Sequence, residues 1–153
     1  MTLLDSFSPG DTESASRGQL AHPMNIAHLK QLEKRLYQVG EKAYCFVGNG
    51  LSNQSFIEGP EGLIVIDTGE SVEEMEAALK AVRKVSKLPV AACFYSHFHY
   101  VSGTQALLDE GNVTDIPIYG HAGIPENIAR FGGEVAPRVS RGLVHQFGLK
   151  LPN

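Results

Sequence analysis

Residues 96–104 read Ser-His-Phe-His-Tyr-Val-Ser-Gly-Thr, which places two histidines, His97 and His99, just after the apolar run 89–95. The run predicts a buried strand, so the histidines fall in the loop at its C-terminal end. Side chains at i and i+2 of an extended segment point the same way, and two imidazoles aimed at one point can bind one metal ion. His97 and His99 are therefore candidate metal ligands. Two exposed polar residues in a loop are the alternative that the pair leaves open.

The segment before the histidines predicts a strand, a helix and a second strand. Residues 63–67 form an apolar run, Ser71 is an N-cap candidate followed by acidic and then basic residues, and residues 90–95 form the next run. This order is a βαβ unit with parallel strands. Because ligands collect beyond the carboxyl ends of such strands, we expect Asp67 on the same rim as the two histidines. There Asp67 would bind a metal directly or orient a histidine by a hydrogen bond; capping the turn before Ser71 is the alternative.

The remaining patterns divide the chain into an arm and one domain. Residues 1–21 are rich in polar and small residues and predict a flexible N-terminal arm, which leaves residues 22–153 as the domain. Helical and strand-like patterns alternate in the domain, as is typical of an α/β (α+β) chain. Outside the βαβ unit, the predicted helices are 26–36, 104–110, 125–130 and 134–144, and the predicted strands are 36–39, 43–48, 54–58 and 116–119.

Charge and composition exclude several functional classes. The formal net charge is −4, which gives no electrostatic support for a nucleic-acid partner. The apolar stretches fall short of membrane-spanning length, and the first twenty residues lack the basic start and apolar core of a secretory signal. We therefore expect a cytoplasmic protein without a membrane span. In such a chain Cys45 and Cys93 are expected as buried free thiols, with a structural disulfide as the alternative.

Other polar positions are weaker candidates for the site. His121 follows a predicted strand and could reach the same rim, or it is a loop histidine without a task. His145 is interpreted as a charge near a helix C-terminus, and His22 and His28 as surface residues. Residues 49–53, Asn-Gly-Leu-Ser-Asn, predict a turn, with ligand contact as the lesser alternative.

Taken together, these segments resemble the metallo-β-lactamase superfamily, and within it the alkyl-sulfatase branch. The order of a β-meander, a strand ending in Ile-Asp-Thr-Gly, a helix, a strand and a Ser-His-x-His loop is similar to that family. The similar segments are residues 36–39, 51–59, 63–69, 95–103, 146–148 and 151–152. The resemblance implies a partial αββα sandwich, in which this chain supplies the first half: a mixed β-sheet with flanking helices.

The resemblance also implies a metal site and an activity. The family motif H-x-H-x-D-H maps onto residues 97–102, so His97 and His99 match ligands of a first zinc ion, while Val101 and Ser102 replace the ligands of a second. One zinc site at most is therefore expected from this chain. The implied activity is metal-dependent hydrolysis of sulfate esters, by a domain incomplete for catalysis. The alternative is a non-catalytic truncated pseudoenzyme or interaction module, and an uncovered sheet surface predicts self-association.

Overall fold

A six-stranded mixed sheet forms the framework of the chain. The computed structural model describes residues 12–14, 18, 20–29 and 33–139. The elements in chain order are β1 (Glu13–Ser14), β2 (Leu20–Ala21), α1 (Pro23–Leu29), β3 (Arg35–Gly40), β4 (Ala43–Val47), β5 (Gln54–Glu58), β6 (Leu63–Ile66), α2 (Val72–Val82), β7 (Val90–Phe94), α3 (Thr104–Gly111), β8 (Ile118–Tyr119) and α4 (Ile124–Arg130).

The strand order in the sheet follows the order in the chain, from β3 at one edge to β8 at the other. Strands β3 to β6 form an antiparallel meander, whereas β6, β7 and β8 run parallel. The hairpin between β5 and β6 closes through a backbone hydrogen bond from Gly59 to Gly62. The parallel pairing of β6 and β7 across α2 confirms the predicted βαβ unit and the mixed α/β fold.

Helix α2 forms where the sequence supplies both a cap and an apolar stripe. The hydroxyl of Ser71 accepts a hydrogen bond from the backbone N–H of Glu74 at 3.2 Å, which satisfies a free donor of the first turn. Met75, Leu79 and Val82 recur at helical spacing and are buried. Burial of each such side chain stabilises the fold by roughly 1.5–3 kcal/mol, so packing against the sheet dominates the stability of this helix.

The core lies between one face of the sheet and helices α2 and α3. Side chains of a strand alternate between the two faces, and those of the covered face are almost inaccessible to solvent. The buried apolar residues are Phe46, Phe56, Leu63, Val65, Met75, Ala78, Leu79, Val82, Cys93, Ala106, Leu107 and Ile116.

The opposite face of the sheet is apolar and partly open to solvent. The register places Ile57 beside Ile64, Ile64 beside Ala92, and Phe94 beside Tyr119 on this face. Phe94 and Tyr119 stack with ring centroids 4.7 Å apart, yet remain 40% and 54% exposed. An αββα sandwich covers such a face with a second sheet, so this chain has the shape of one sheet-and-helix layer pair.

Several finer expectations differ from the structure or lie outside the described residues. Helix α1 ends at Leu29, and Leu36 lies in β3 opposite Phe46, because pairing at the sheet edge overrides the helical spacing of the leucines. Strand β8 contains two residues only. Most of the arm 1–21, the end of the predicted helix 134–144 and His145 lie outside the described residues.

Both cysteines are free thiols, as expected, and of the two Cys93 is buried whereas Cys45 is only half-buried. Cys93 points into the core and Cys45 towards the open face, so the sheet separates them. Burial, followed by the nearby charge of Asp67, raises the pKa of the Cys93 thiol to about 12. Within the described ranges, every helix is too short or too polar to cross a membrane.

Candidate functional site

The two histidines of the loop after β7 lie side by side. His97 has an extended backbone, and His99 belongs to a single 3₁₀ turn at Phe98–Tyr100. The extended geometry predicted for both residues therefore holds for His97 only. The rings are nevertheless brought together, with centroids 5.1 Å apart and planes at 69°. Both side chains are exposed at the carboxyl end of the sheet.

The spacing of these rings fits a single bound zinc ion. Two zinc–nitrogen bonds of about 2.0–2.1 Å at a tetrahedral angle place imidazole centroids about 5 Å apart. The 5.1 Å separation of His97 and His99 matches that requirement. No group of three or more histidine, cysteine or acidic side chains near enough to share a metal occurs among the residues that the structure describes. Within that part of the chain, a metal at this loop would therefore have the two imidazoles as its only ligands of these types.

Asp67 stands behind His97 through a hydrogen-bonded chain. One carboxylate oxygen accepts from the backbone N–H of Ser96 at 2.8 Å, and the other accepts from its hydroxyl at 2.6 Å. The same hydroxyl lies 2.8 Å from Nδ1 of His97. Asp67 is 8% exposed and has a left-handed backbone with φ of 60°. Asp67 therefore contacts Ser96 directly and reaches His97 only through the Ser96 hydroxyl.

The second half of the loop is fixed to the end of β6 by backbone pairing. The N–H of Thr68 donates to the carbonyl of Tyr100 at 2.8 Å, and the N–H of Ser102 donates to the carbonyl of Gly69 at 3.2 Å. A short parallel bridge joins Gly69 to Val101. This pairing extends the parallel contact between β6 and β7 beyond their C-terminal ends and into the loop.

Gly103 allows this loop to approach the βαβ unit closely. A side-chain carbon at this position would collide with the backbone carbonyl of Thr68, and would lie 2.7 Å from Met75 Cβ and from the carbonyl oxygen of Ser71. Glycine is therefore required by space at this point, since its φ of −87° is accessible to any residue. The requirement explains the glycine between Ser102 and Thr104.

A partly buried hydroxyl network lies beneath the loop. The Thr104 hydroxyl donates to the carbonyl of Val101 at 2.9 Å and lies 2.5 Å from the hydroxyl of Tyr95. It is also 3.3 Å from the hydroxyl of Thr68. Burial raises the pKa of the Tyr95 phenol above its ordinary value.

An aromatic wall borders the histidines on the side of α4. Phe131 starts a π-type turn at Phe131–Val135, and its ring centroid lies 5.3 Å from that of His99 and 5.8 Å from that of Phe98. Sequence reasoning missed Phe131, Ser96 and Thr104. Phe131 lies more than thirty residues after the histidines, and no sequence pattern connects it with them. Ser96 could have been recognised, because it places a hydroxyl directly before the H-x-H pair.

The other polar candidates lie apart from this pair. His121 is exposed, and its Nδ1 accepts a hydrogen bond from the backbone N–H of Gly123, a local turn contact. Asn49 donates to Gln54 and to the carbonyl of Glu74, so it fastens its loop to α2. His22 accepts from the N–H of Met24 at the start of α1, and His28 is exposed.

Comparison with known proteins gives consistent matches. The sequence profile of the metallo-beta-lactamase superfamily matches residues 47–147. A linear primary-alkylsulfatase from Pseudomonas sp. (strain ATCC 19151) is 36% identical over 99 residues, which are 62% of this chain and 19% of that protein. An (R)-specific secondary-alkylsulfatase from Pseudomonas sp. is 29% identical over 98% of this chain and 22% of its own length. The chain thus spans about a fifth of these curated relatives.

Solved structures show the same fold. A double mutant of the sec-alkyl sulfatase PisA1 superposes with a TM-score of 0.67 at 23% identity, over 96% of this chain and 27% of that one. The stereoselective inverting sec-alkylsulfatase Pisa1 from Pseudomonas sp. superposes with a TM-score of 0.55 at 25% identity, over 75% of this chain and 23% of its own.

Proposed function

Because this chain belongs to the metallo-beta-lactamase superfamily, we propose that its histidine loop binds zinc for the hydrolysis of alkyl sulfate esters. The observation that carries the proposal is the pair of exposed imidazoles, His97 and His99, 5.1 Å apart at the carboxyl end of β7. The similarity to primary and secondary alkylsulfatases supports the choice of ester. A zinc ion there would lower the pKa of its bound water and polarise the ester.

The residues of this chain would orient and shield such a metal. The hydroxyl of Ser96 lies 2.8 Å from Nδ1 of His97, which leaves Nε2 as the ring nitrogen that would bind a metal. Asp67 holds Ser96 in that position through two hydrogen bonds. Partners of this kind fix the ring and its tautomer, and their loss typically lowers metal affinity about 10–100-fold. Phe98 and Phe131 would place apolar surface beside the metal, where an alkyl chain would pack.

A second zinc does not fit this loop. Val101 has no lone pair to offer, and the hydroxyl of Ser102 is a weak neutral ligand beside imidazole or carboxylate. We therefore propose one zinc ion, with a third ligand from outside the described residues or from the substrate. Catalytic zinc sites normally have three protein ligands, so a two-histidine site predicts weak binding by this chain alone.

A second candidate function is that of a non-catalytic module. The observation in its favour is the loss of both second-zinc ligands, at Val101 and Ser102, from a loop whose backbone pairing is intact. In this alternative the loop keeps its shape because Asp67, Ser96 and Gly103 stabilise the fold. The domain would then act by associating with another chain or segment.

Metal content and turnover of the purified chain distinguish the two candidates. The zinc function predicts near-stoichiometric zinc by plasma mass spectrometry at saturating metal, lost in His97→Ala/His99→Ala. The His121→Ala variant is the matched control, since His121 is an exposed histidine outside the loop. Release of inorganic sulfate from decyl sulfate, abolished by the double variant, supports hydrolysis. Folded protein that binds no zinc at equilibrium with saturating metal and releases no sulfate supports the non-catalytic module.

A further inference from the structure

A groove beside the C-terminal half of α2 combines an apolar floor with a cationic rim. It has a volume of about 640 Å³ and lies between the C-terminal half of α2 and the strands β3 and β4. Volumes of about 300–1,000 Å³ are typical of sites for small molecules. The size therefore suits one small ligand better than a macromolecular surface, which would lie across a flatter area.

Three cationic side chains border the groove. Lys34 directly precedes β3, Lys80 lies in α2, and Lys84 lies in the turn that follows α2. All three are exposed. Arg35 also lines the groove, but its guanidinium lies 4.3 Å from the ring centroid of Tyr37, on the open face of the sheet. Across the part of the chain that the structure describes, no carboxylate lies within 4.0 Å of any of them, since the ion pairs there are Arg83–Glu110 and Arg130–Glu134. The cations are therefore free to pair with an anion that enters the groove.

The rim charge is local and does not reflect the composition of the chain, whose formal net charge is −4. Basic residues near the end of α2 also complement its dipole, which would account for Lys80 and Lys84 without a ligand. That explanation does not extend to Lys34, which directly precedes β3 and lines the same groove.

The floor of the groove is apolar. Leu36 and Phe46 contribute from adjacent strands, and Ala77 and Ala81 contribute from α2. The two alanines leave room that larger side chains would fill. The ammonium nitrogen of Lys34 lies 5.9 Å above the ring of Phe46, so a positive charge stands directly at the boundary between floor and rim. A ligand with an apolar chain and an anionic head would match both parts.

The groove is separate from the histidine loop. The N-terminal end of α2 adjoins that loop, because the space beside Gly103 is filled by Ser71 and Met75. From this segment the groove is lined by Ala77, Lys80, Ala81, Lys84 and Val85, and Ala81 lies nine positions after Val72, or about 13 Å along the helix axis. A head group bound at Lys80 and Lys84 is thus out of reach of His97.

We propose that this groove binds a single-chain alkyl anion, such as an alkyl carboxylate or an alkyl sulfate, as a free monomer. The apolar chain lies on Phe46, Ala77 and Ala81, and the head group pairs with the lysines of the rim. The proposal goes beyond the zinc function and does not depend on it, because none of the groove residues belongs to the histidine loop.

Binding of decanoate below its micellar concentration tests the proposal on the full chain. Decanoate lacks a sulfate ester, so hydrolysis at the histidine loop cannot affect the result. We expect saturable binding by calorimetry, with amide NMR shifts in β3, β4 and the second half of α2. Decyl sulfate should bind at the same residues, whereas decyltrimethylammonium, with the same chain and opposite charge, and inorganic sulfate, without a chain, should bind much more weakly.

Two variants separate the rim from the floor. Lys80→Glu/Lys84→Glu should weaken decanoate binding at least about tenfold, because the head group would meet two like charges. Ala81→Trp should block the chain without changing the charge. The matched control is Lys42→Glu/Lys87→Glu, which changes the net charge equally at exposed lysines outside the groove. Circular dichroism confirms that each variant is folded.

Three results would overturn the proposal. The first is equal affinity of the rim variant and the control variant. The second is a set of shifts that maps to the open sheet face or to the histidine loop. The third is the absence of binding by free decanoate. Binding of anionic phospholipid vesicles alone would count as this result. So would occupation of the groove by another segment of the chain or by a second copy, because either would keep decanoate out.

Discussion

Asp67 and Ser96 are joined by two hydrogen bonds, one from the backbone N–H at 2.8 Å and one from the hydroxyl at 2.6 Å. These bonds connect the end of β6 to the first residue of the histidine loop. Because Asp67 is 8% exposed, its charge is stabilised mainly by these two donors. The position of His97 thus depends on a residue thirty positions earlier in the chain.

Removal of the Asp67 carboxylate should affect both stability and zinc binding. We expect Asp67→Ala to lower the free energy of unfolding by about 1–3 kcal/mol, since the N–H and the hydroxyl of Ser96 both lose a charged acceptor. Asp67→Asn should cost less, because asparagine tolerates the left-handed backbone and keeps one acceptor oxygen. Urea unfolding and zinc titration of both variants provide the measurement. An alanine variant with unchanged stability and zinc affinity would contradict the role assigned to Asp67.

Gly103 provides a test of the close packing beneath the loop. Gly103→Ala should destabilise the protein by about 1–3 kcal/mol, because the added carbon overlaps the carbonyl of Thr68 and crowds Met75. Gly132→Ala is the matched control, since nothing lies within 4 Å of a carbon added there. Thermal or urea unfolding of the two variants should differ clearly. Equal stability would show that the loop can move away from α2 without cost.

The loop also predicts the result of restoring the family motif. Val101→Asp/Ser102→His introduces the two missing ligands on a backbone that Gly69 already holds in place. We expect zinc affinity to rise at least about tenfold, since catalytic sites normally combine three protein ligands. Competition with a fluorescent chelator measures the change. The swapped variant Val101→His/Ser102→Asp is the control for added ligands in the wrong order, and equal gains in both would argue against the motif alignment.

The sequence predicts the central part of the fold well because its signals there are local. Ser71 is an N-cap residue that the sequence alone identifies. Residues 63–67 and 90–95 have strand patterns, and the segment between them has apolar residues at helical spacing. The rings of His97 and His99 meet as expected, although by a 3₁₀ turn in place of an extended strand. The H-x-H spacing does not show whether the loop is fully extended or turns after His97, because the two rings can meet in either case.

Long-range contacts are the part that sequence patterns could not supply. Phe131 reaches His99 from an element more than thirty residues later, and no periodic signal connects them. The basic rim is similarly divided between Lys34 and Lys84, which are far apart in the chain and meet only after β3 and α2 pack together. Leu36 illustrates the converse case, in which edge pairing overrides a local helical pattern.

Cys93 predicts a loss of stability in alkaline solution. Burial, together with the charge of Asp67, raises the pKa of this thiol to about 12 in the folded protein, whereas an unfolded thiol titrates near 8.5. The unfolded state therefore binds fewer protons between these values, and the free energy of unfolding falls as pH rises, by at most about 1.4 kcal/mol per pH unit from this group. Below about pH 8 the contribution is fully present.

Urea unfolding at pH 8 and pH 10.5 measures this effect. Cys93→Ala should reduce the alkaline loss, and part of the loss should remain because burial also raises the pKa of Tyr95. Cys45→Ala is the matched control and should leave the pH dependence unchanged, since Cys45 lies on the opposite, partly open face. An alkaline loss identical in all three proteins would show that Cys93 ionises without unfolding.

The open sheet face predicts weak self-association, with a second copy as the partner. Ile57, Ile64, Phe94 and Tyr119 present an uncharged surface. The six strands have two to six residues each; at about 3.3 Å per residue and about 4.8 Å between strands they cover roughly 430 Å², whereas a stable interface needs about 800 Å² per partner. We therefore expect a concentration-dependent dimer in the micromolar-to-millimolar range. Sedimentation velocity should show it abolished by Phe94→Glu and retained by Val113→Glu, a similarly exposed position off this face. A monomer at all concentrations would indicate that the Phe94–Tyr119 stack alone shields the face sufficiently.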